Sequence, residues 1–216
     1  MDIAVYFNIL IIAVFVNNFV LSQFLGICPY MGVSKRLDSA IGMGTAVIFV
    51  MTLASALAWI IELFFLYPST LNIWFRLLGD GKNYLAYDFT YLRTIVFILS
   101  IAALVQMVEI FMKKFTPAMY ELLGIYLPLI TTNCAILGVV ILNVKTFGTE
   151  ESSLLKYIIN AIGAGVGFPL AIVIMAGIRE RMEEVSEYIP RPLRGSALTF
   201  IIAGLLSLAF MGFVGF

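Results

Sequence analysis

Asn17-Asn18-Phe19-Val20-Leu21-Ser22-Gln23-Phe24-Leu25-Gly26-Ile27-Cys28-Pro29-Tyr30-Met31-Gly32-Val33-Ser34 closes a run of thirty-two residues, Ile3 to Ser34, without one charged side chain. As one continuous helix at about 1.5 Å per residue, that run overshoots a hydrocarbon core of about 30 Å by half again. It therefore reads as a membrane span that breaks or turns back. Asn17 and Asn18 place two amides where hydrocarbon belongs, Gly26 loosens the backbone, and Pro29 pushes Cys28 out of the right-handed helical region. Irregular backbone at that depth survives only when packed in protein or facing a polar cavity.

Further charge-free stretches run from Ser39 to Ile61, Thr94 to Val108, Leu122 to Val144, Tyr157 to Ile178 and Gly195 to Phe216. Most reach the roughly 20 residues that a bilayer demands. The third is short, but Arg93 can snorkel at one end, and Glu109 lies near Lys113 and Lys114 at the other. With 62% hydrophobic and 12% charged residues and a mean hydropathy of +1.05, the chain is too apolar for a soluble domain. The expected fold is an all-α integral membrane protein, one membrane domain over residues 1–216, with six transmembrane helices of which spans 1 and 4 are broken. Met1-Asp2-Ile3 lacks the positive start of a cleavable signal, so the first apolar stretch is expected to be retained.

Two pentapeptides echo each other three spans apart: Ala40-Ile41-Gly42-Met43-Gly44 and Ala161-Ile162-Gly163-Ala164-Gly165. Three spans per unit reverse the orientation, so a true duplication makes two inverted repeats, residues 1–112 and 113–216. The plainer account is that small residues recur wherever membrane helices pack closely. One set of alternate loops carries Lys35, Arg36, Lys113, Lys114, Arg179, Arg181, Arg191 and Arg194; the other carries Arg76, Lys82, Arg93, Lys145 and Lys156. That bias places the first set in the cytoplasm and both termini outside.

The composition also excludes chemistry. The sequence contains no His, which removes His-ligated zinc, His acid/base catalysis and haem on an axial His. Zero net charge and no basic tail exclude a nucleic-acid partner. No residue is expected to be catalytic.

Cys28 and Cys134 are the only thiols. A Cys in a membrane helix commonly serves as a small packing residue, and a disulfide is poorly served inside a bilayer. Both, however, fall at expected breaks. If span 4 starts near Glu121, Cys134 lies about 20 Å along it, near the midplane. Thiolates at that depth need compensation, and soft metal centres supply it; two thiolates cannot complete a four-ligand site, so any such site must borrow ligands from another polypeptide. Asn17, Asn18, Thr131, Thr132 and Asn133 are candidates to line an ion path or to donate hydrogen bonds to sulfur, and Gly26 and Gly138 would let backbone approach closely. Glu62, Gln106 and Glu109 are candidates for ion coupling, against a plain interfacial role. Arg179, Glu180, Arg181, Glu183 and Glu184 read as a solvated helix end or a contact with a neighbouring polypeptide.

The Cys-bearing stretches, Asn17 to Ser34 and Leu127-Pro128-Leu129-Ile130-Thr131-Thr132-Asn133-Cys134-Ala135-Ile136-Leu137-Gly138, resemble the A subunit of the Rnf-type ion-translocating ferredoxin:NAD oxidoreductase. Val50 to Ser55, Ile178 to Arg181 and Ser207 to Phe213 extend the likeness along nearly the whole chain. The resemblance implies six spans in two inverted repeats in a prokaryotic inner membrane. It also implies that Cys28 and Cys134 supply half the ligands of an intramembrane [2Fe-2S] cluster, shared with the paralogous E subunit. Expected partners are Rnf subunits B, C, D, E and G, with flavins and further iron-sulfur clusters on them, and ferredoxin and NAD reached through them. Electron transfer would drive sodium or proton export. The alternatives are a stand-alone inverted-repeat secondary transporter, the E subunit of a sodium-pumping NADH:quinone oxidoreductase, or a purely structural packing subunit. The segments Tyr67 to Tyr91 and Glu183 to Pro190 are longer than the family pattern.

Overall fold

A computed structural model of the chain describes residues 2–34, 36–66, 90–115, 127–148, 153–184 and 195–212. The described residues form eight α-helices: α1 Asp2–Ile11, α2 Ile27–Val33, α3 Leu37–Ile61, α4 Arg93–Phe115, α5 Leu127–Thr131, α6 Cys134–Phe147, α7 Ser153–Glu184 and α8 Ser196–Met211. Wider π-helical turns continue α1 through Ile12–Val16 and α3 through Glu62–Leu66. Among the described residues, four helical stretches are long and apolar enough to cross a bilayer: Leu37–Leu66, Arg93–Phe111, Pro128–Phe147 and Leu154–Glu184. Ala4–Val16 and Ser196–Met211 are shorter apolar helices. Most of the long segment between α3 and α4, and residues 185–190, lie outside the described residues.

The α3–α7 pair is the most extensive contact and forms the centre. Ala40, Met43, Val47, Val50, Met51, Ala54 and Ala58 follow one face of α3, and Tyr157, Ala161, Ala164, Phe168, Ala171, Ile172 and Met175 follow one face of α7, all buried. The three-and-four spacing on both helices is that of a packed helical stripe. Lipid offers little hydrophobic force between helices, so close backbone approach by small residues does the work. The two echoing pentapeptides sit in this contact. A Cβ on Gly44 would run into the ring of Pro169, and one on Gly165 would lie 3.1 Å from Ile48 Cα.

Around the pair, α1 with its π turn packs on α7, α6 packs on both central helices, and α4 contacts α3, α5 and α6. Helix α4 is the least enclosed of the four long stretches, and among its described side chains only Phe97, Ile101 and Val105 are buried.

Several polar groups inside the bundle are paired across helices. Asn143 Nδ2 donates to Ser55 Oγ at 2.6 Å and to Tyr157 O at 3.3 Å; Ser55 Oγ donates to the same carbonyl at 3.2 Å, and Asn160 Nδ2 donates to Asn143 Oδ1 at 2.6 Å. This network ties α3, α6 and α7 where water cannot satisfy the groups. At the end of α3 the fully buried Glu62 is held by a two-pronged bond from Arg93, the first residue of α4, through Nη2 and through Nε at 3.1 Å.

The charged end of α7 departs from its expected role. Arg179 Nη1 donates to Met31 O and Ser34 Oγ, both at 2.9 Å, and Glu180 Oε1 accepts from the Leu37 N–H at 3.1 Å. These two side chains close the end of α2 and the start of α3, because the free carbonyl and N–H groups there need partners. Arg181 and Glu184 pair on the exposed surface.

Candidate cofactor site

The helical course of the first apolar run stops at Val16 and resumes at Ile27. The Asn17 N–H still reaches back to Ile12 O at 2.7 Å, but its backbone (φ −99°, ψ 44°) leaves the helix. Asn18 organises the turn beyond it. Its Nδ2 donates to Gly167 O of α7 at 2.8 Å and to Val14 O at 3.3 Å, and its Oδ1 accepts from the N–H groups of Val20 at 3.1 Å and Leu21 at 3.3 Å. One fully buried amide thus bonds three backbone groups beside the break and ties the turn to a carbonyl of α7. Asn17, by contrast, is exposed. Ser207 Oγ of α8 donates to Leu21 O and holds the turn from the other side.

The turn ends in two left-handed residues, Phe24 (φ 55°) and Gly26 (φ 82°). That conformation is strained for Phe24 and natural for glycine. Pro29 stands in the first turn of α2, where a residue without an N–H breaks no helical bond. This corrects the expectation for Cys28. It is the second residue of α2, inside the helix, and the break lies upstream at residues 17–26.

A second interruption, at Thr132 and Asn133, separates α5 from α6. Asn133 (φ −73°, ψ 110°) caps α6, its Oδ1 accepting from the Ala135 N–H at 3.0 Å. Thr132 Oγ1 bonds back to Pro128 O at 3.2 Å and is exposed, while Thr131 is half-buried. Cys134 is the first residue of α6.

The two interruptions meet. The Gly26 N–H donates to Cys134 Sγ at 2.9 Å. A Cβ on Gly26 would lie 2.9 Å from Phe168 Cε2, 3.1 Å from Asn133 Oδ1 and 3.2 Å from Ala135 Cβ, so only glycine fits this approach. Gly138 opens the neighbouring notch, in which Leu25 Cδ1 would stand 2.6 Å from an added Cβ. Cys28 and Cys134 thus both stand in first turns of helices that start beside Gly26, and both are free, exposed thiols.

The matched sequence now carries an assignment. A family model described as "Rnf-Nqr subunit, membrane protein" matches residues 6–216. The chain belongs to the Rnf-Nqr membrane-subunit family. This Rnf-Nqr protein is 49% identical over 207 residues, 96% of the chain and 95% of the relative, to the A subunit of the Na(+)-translocating ferredoxin:NAD(+) oxidoreductase complex of Acetobacterium woodii. It is 50% identical over 200 residues (93% and 91%) to the A subunit of the ion-translocating oxidoreductase complex of Azoarcus sp., and 47% identical over 210 residues (97% and 96%) to that of Pseudoalteromonas translucida.

The donor set of the Rnf-Nqr protein fits half of a thiolate-held cluster. Among the described residues no three His, Cys, Asp or Glu side chains converge on a point that could hold a metal ion. Two exposed thiols beside a backbone donor can supply two ligands of four. Asn133 Nδ2 is buried without a hydrogen-bond partner among the described residues.

Sequence reasoning singled out Asn17, Asn18, Gly26, Thr131, Thr132, Asn133 and Gly138 as one group, and the structure gives them different work. Asn18 uses its whole amide on the backbone, Thr132 bonds its own helix, and Gly26 and Asn133 alone touch the Cys134 turn through a donor or a cap. The Ser55–Asn143–Asn160 network was missed, although two amides in otherwise apolar spans were its signal.

Proposed function

We propose that this chain is the membrane electron-transfer component of an ion-translocating ferredoxin:NAD oxidoreductase, with Cys28 and Cys134 as two of the four thiolate ligands of a [2Fe-2S] cluster. The paralogous E subunit supplies the other two. The single observation that carries the reading is the Gly26 N–H bond to Cys134 Sγ, which joins the two Cys-bearing turns in a chain whose relatives are A subunits of such complexes. Bound there, the cluster would take up and release one electron at a time.

The chain's own residues provide the setting. Asn18 and Ser207 hold the turn 17–26 rigid, Asn133 starts α6 at Cys134, and the exposed thiols leave room for ligands from a partner. Six spans in two inverted repeats of 1–112 and 113–216, with both termini outside a prokaryotic inner membrane, complete the proposed arrangement. In it, subunits B, C, D, E and G carry flavins and further clusters toward ferredoxin and NAD, and the exported ion is sodium or a proton.

The test is co-expression with the E subunit, followed by iron analysis and EPR of the purified pair. Wild type should bind iron and give a reduced [2Fe-2S] signal. Cys28→Ser and Cys134→Ser should each remove it. A signal that survives either substitution, or solute transport by the purified chain alone in proteoliposomes, would overturn the assignment.

A further inference from the structure

The two thiols of the candidate site differ in what surrounds their sulfur. Cys134 Sγ accepts the Gly26 N–H at 2.9 Å, whereas Cys28 Sγ accepts no hydrogen bond among the described residues. The donor to Cys134 does not come from its own helix. The next two N–H groups of α6 are already taken, that of Ala135 by Asn133 Oδ1 at 3.0 Å and that of Ile136 by Asn133 O at 3.1 Å. It comes from the end of the 17–26 turn, where the left-handed backbone of Gly26 (φ 82°) and the lack of a Cβ let the N–H face the sulfur. The flanking groups of this turn are committed as well: the Leu25 N–H donates to Phe19 O at 2.8 Å, and Gly26 O accepts from the Tyr30 N–H at 3.1 Å. A peptide N–H held from both sides keeps its direction.

We propose that the Gly26 N–H is a tuning donor: it stays on Cys134 Sγ when that sulfur ligates iron, and it raises the reduction potential of the iron-sulfur group through this one ligand. Cys28 is then the ligand without such a donor. This rests on the cofactor reading above and makes Gly26 a positioning residue of that site. Reduction adds one electron to the iron pair from an external reductant; no covalent bond breaks and no proton moves. The added charge spreads onto the sulfur ligands, so a donated hydrogen bond stabilises the reduced form more than the oxidised one. Because the donor belongs to the main chain, the turn must keep its shape for the effect to persist, and glycine is the residue that allows that shape.

The experiment exchanges a single backbone group. Cell-free synthesis of the full chain together with the E subunit, using a suppressor codon at position 26, inserts glycolic acid in place of glycine. The N–H becomes an ester oxygen, while the chain length and the missing Cβ are kept. Redox titration with dithionite, followed by EPR, reads the potential at matched iron content. The ester at position 26 should be roughly tenfold harder to reduce, about 59 mV for a one-electron couple. The same replacement at Gly42 of α3, whose N–H makes no bond to either thiol, should leave the wild-type potential. A wild-type potential in the position-26 ester, or an equal shift at Gly42, would overturn the donor role while leaving the cluster in place. Absence of iron from wild type would overturn the cofactor reading as well, and iron analysis distinguishes that case. Should the ester fail to assemble, 15N-glycine inserted at position 26 alone by the same route decides the matter. A 15N hyperfine coupling to the reduced cluster is expected, and its absence would refute the donor role.

Discussion

The Gly26 N–H and Cys134 Sγ are 2.9 Å apart although 108 positions separate them in sequence. The contact requires glycine twice over: for the left-handed backbone at φ 82°, and for the space that Phe168, Asn133 and Ala135 leave to a residue without a Cβ. Gly26→Ala should therefore cost more than the roughly 1–3 kcal/mol of a left-handed non-glycine residue, since neighbours must also move. A lower melting temperature in detergent, with reduced iron in the complex, is the expected outcome. An unchanged melting temperature would show that the turn can relax around the methyl group.

Adjacent asparagines should behave very differently. Asn18→Ala leaves buried backbone groups of Val14, Val20, Leu21 and Gly167 without the amide, at roughly 1–3 kcal/mol for a buried group left unsatisfied. Asn17→Ala, at an exposed position, should stay within about 0.5 kcal/mol of wild type. Thermal unfolding of the two variants side by side checks the contrast, and equal effects would refute the role given to Asn18.

The Glu62–Arg93 pair closes α3 onto α4 with a carboxylate that has no exposed surface. Arg93→Leu removes the cation paired with that carboxylate and should destabilise by about 3–5 kcal/mol. Adding Glu62→Leu removes the buried charge and should restore much of the loss. A double variant no more stable than Arg93→Leu would mean that the pair contributes through something other than charge compensation.

Helix packing gives a matched pair of glycines two residues apart. Gly44 faces Pro169 across the central contact, whereas nothing lies within 4 Å of a Cβ on Gly42. Gly44→Ala should loosen α3 from α7 and lower thermal stability. Gly42→Ala should be neutral or stabilising, by up to about 1 kcal/mol from helix propensity. Equal melting temperatures for the two variants would remove Gly44 from the packing account.

Much of this was legible in the chain itself, for a physical reason. A charge-free apolar run of about 20 residues crosses hydrocarbon as a helix that satisfies its own backbone, so apolar runs declared helices, and an over-long run with paired amides declared an interruption near Asn17. The two thiols and their flanking motifs stood out because they are the only Cys residues of the chain. The glycine pentapeptides announced close packing without naming the partner.

Tertiary structure decided which polar groups are already satisfied. Asn18 and Asn133 look alike in sequence; the first is saturated because Gly167 O, 149 positions away, lies beside it, and the second keeps an idle NH2 because no described residue reaches it. The same logic turned Arg179 and Glu180 inward to close helix ends, and kept Cys28 helical, since Pro29 entered a first turn instead of an interior one. Local sequence determined what each segment of this protein would be, because solvent and backbone act residue by residue. Which donor meets which acceptor depends on distant segments arriving together, and only the packed fold decides that.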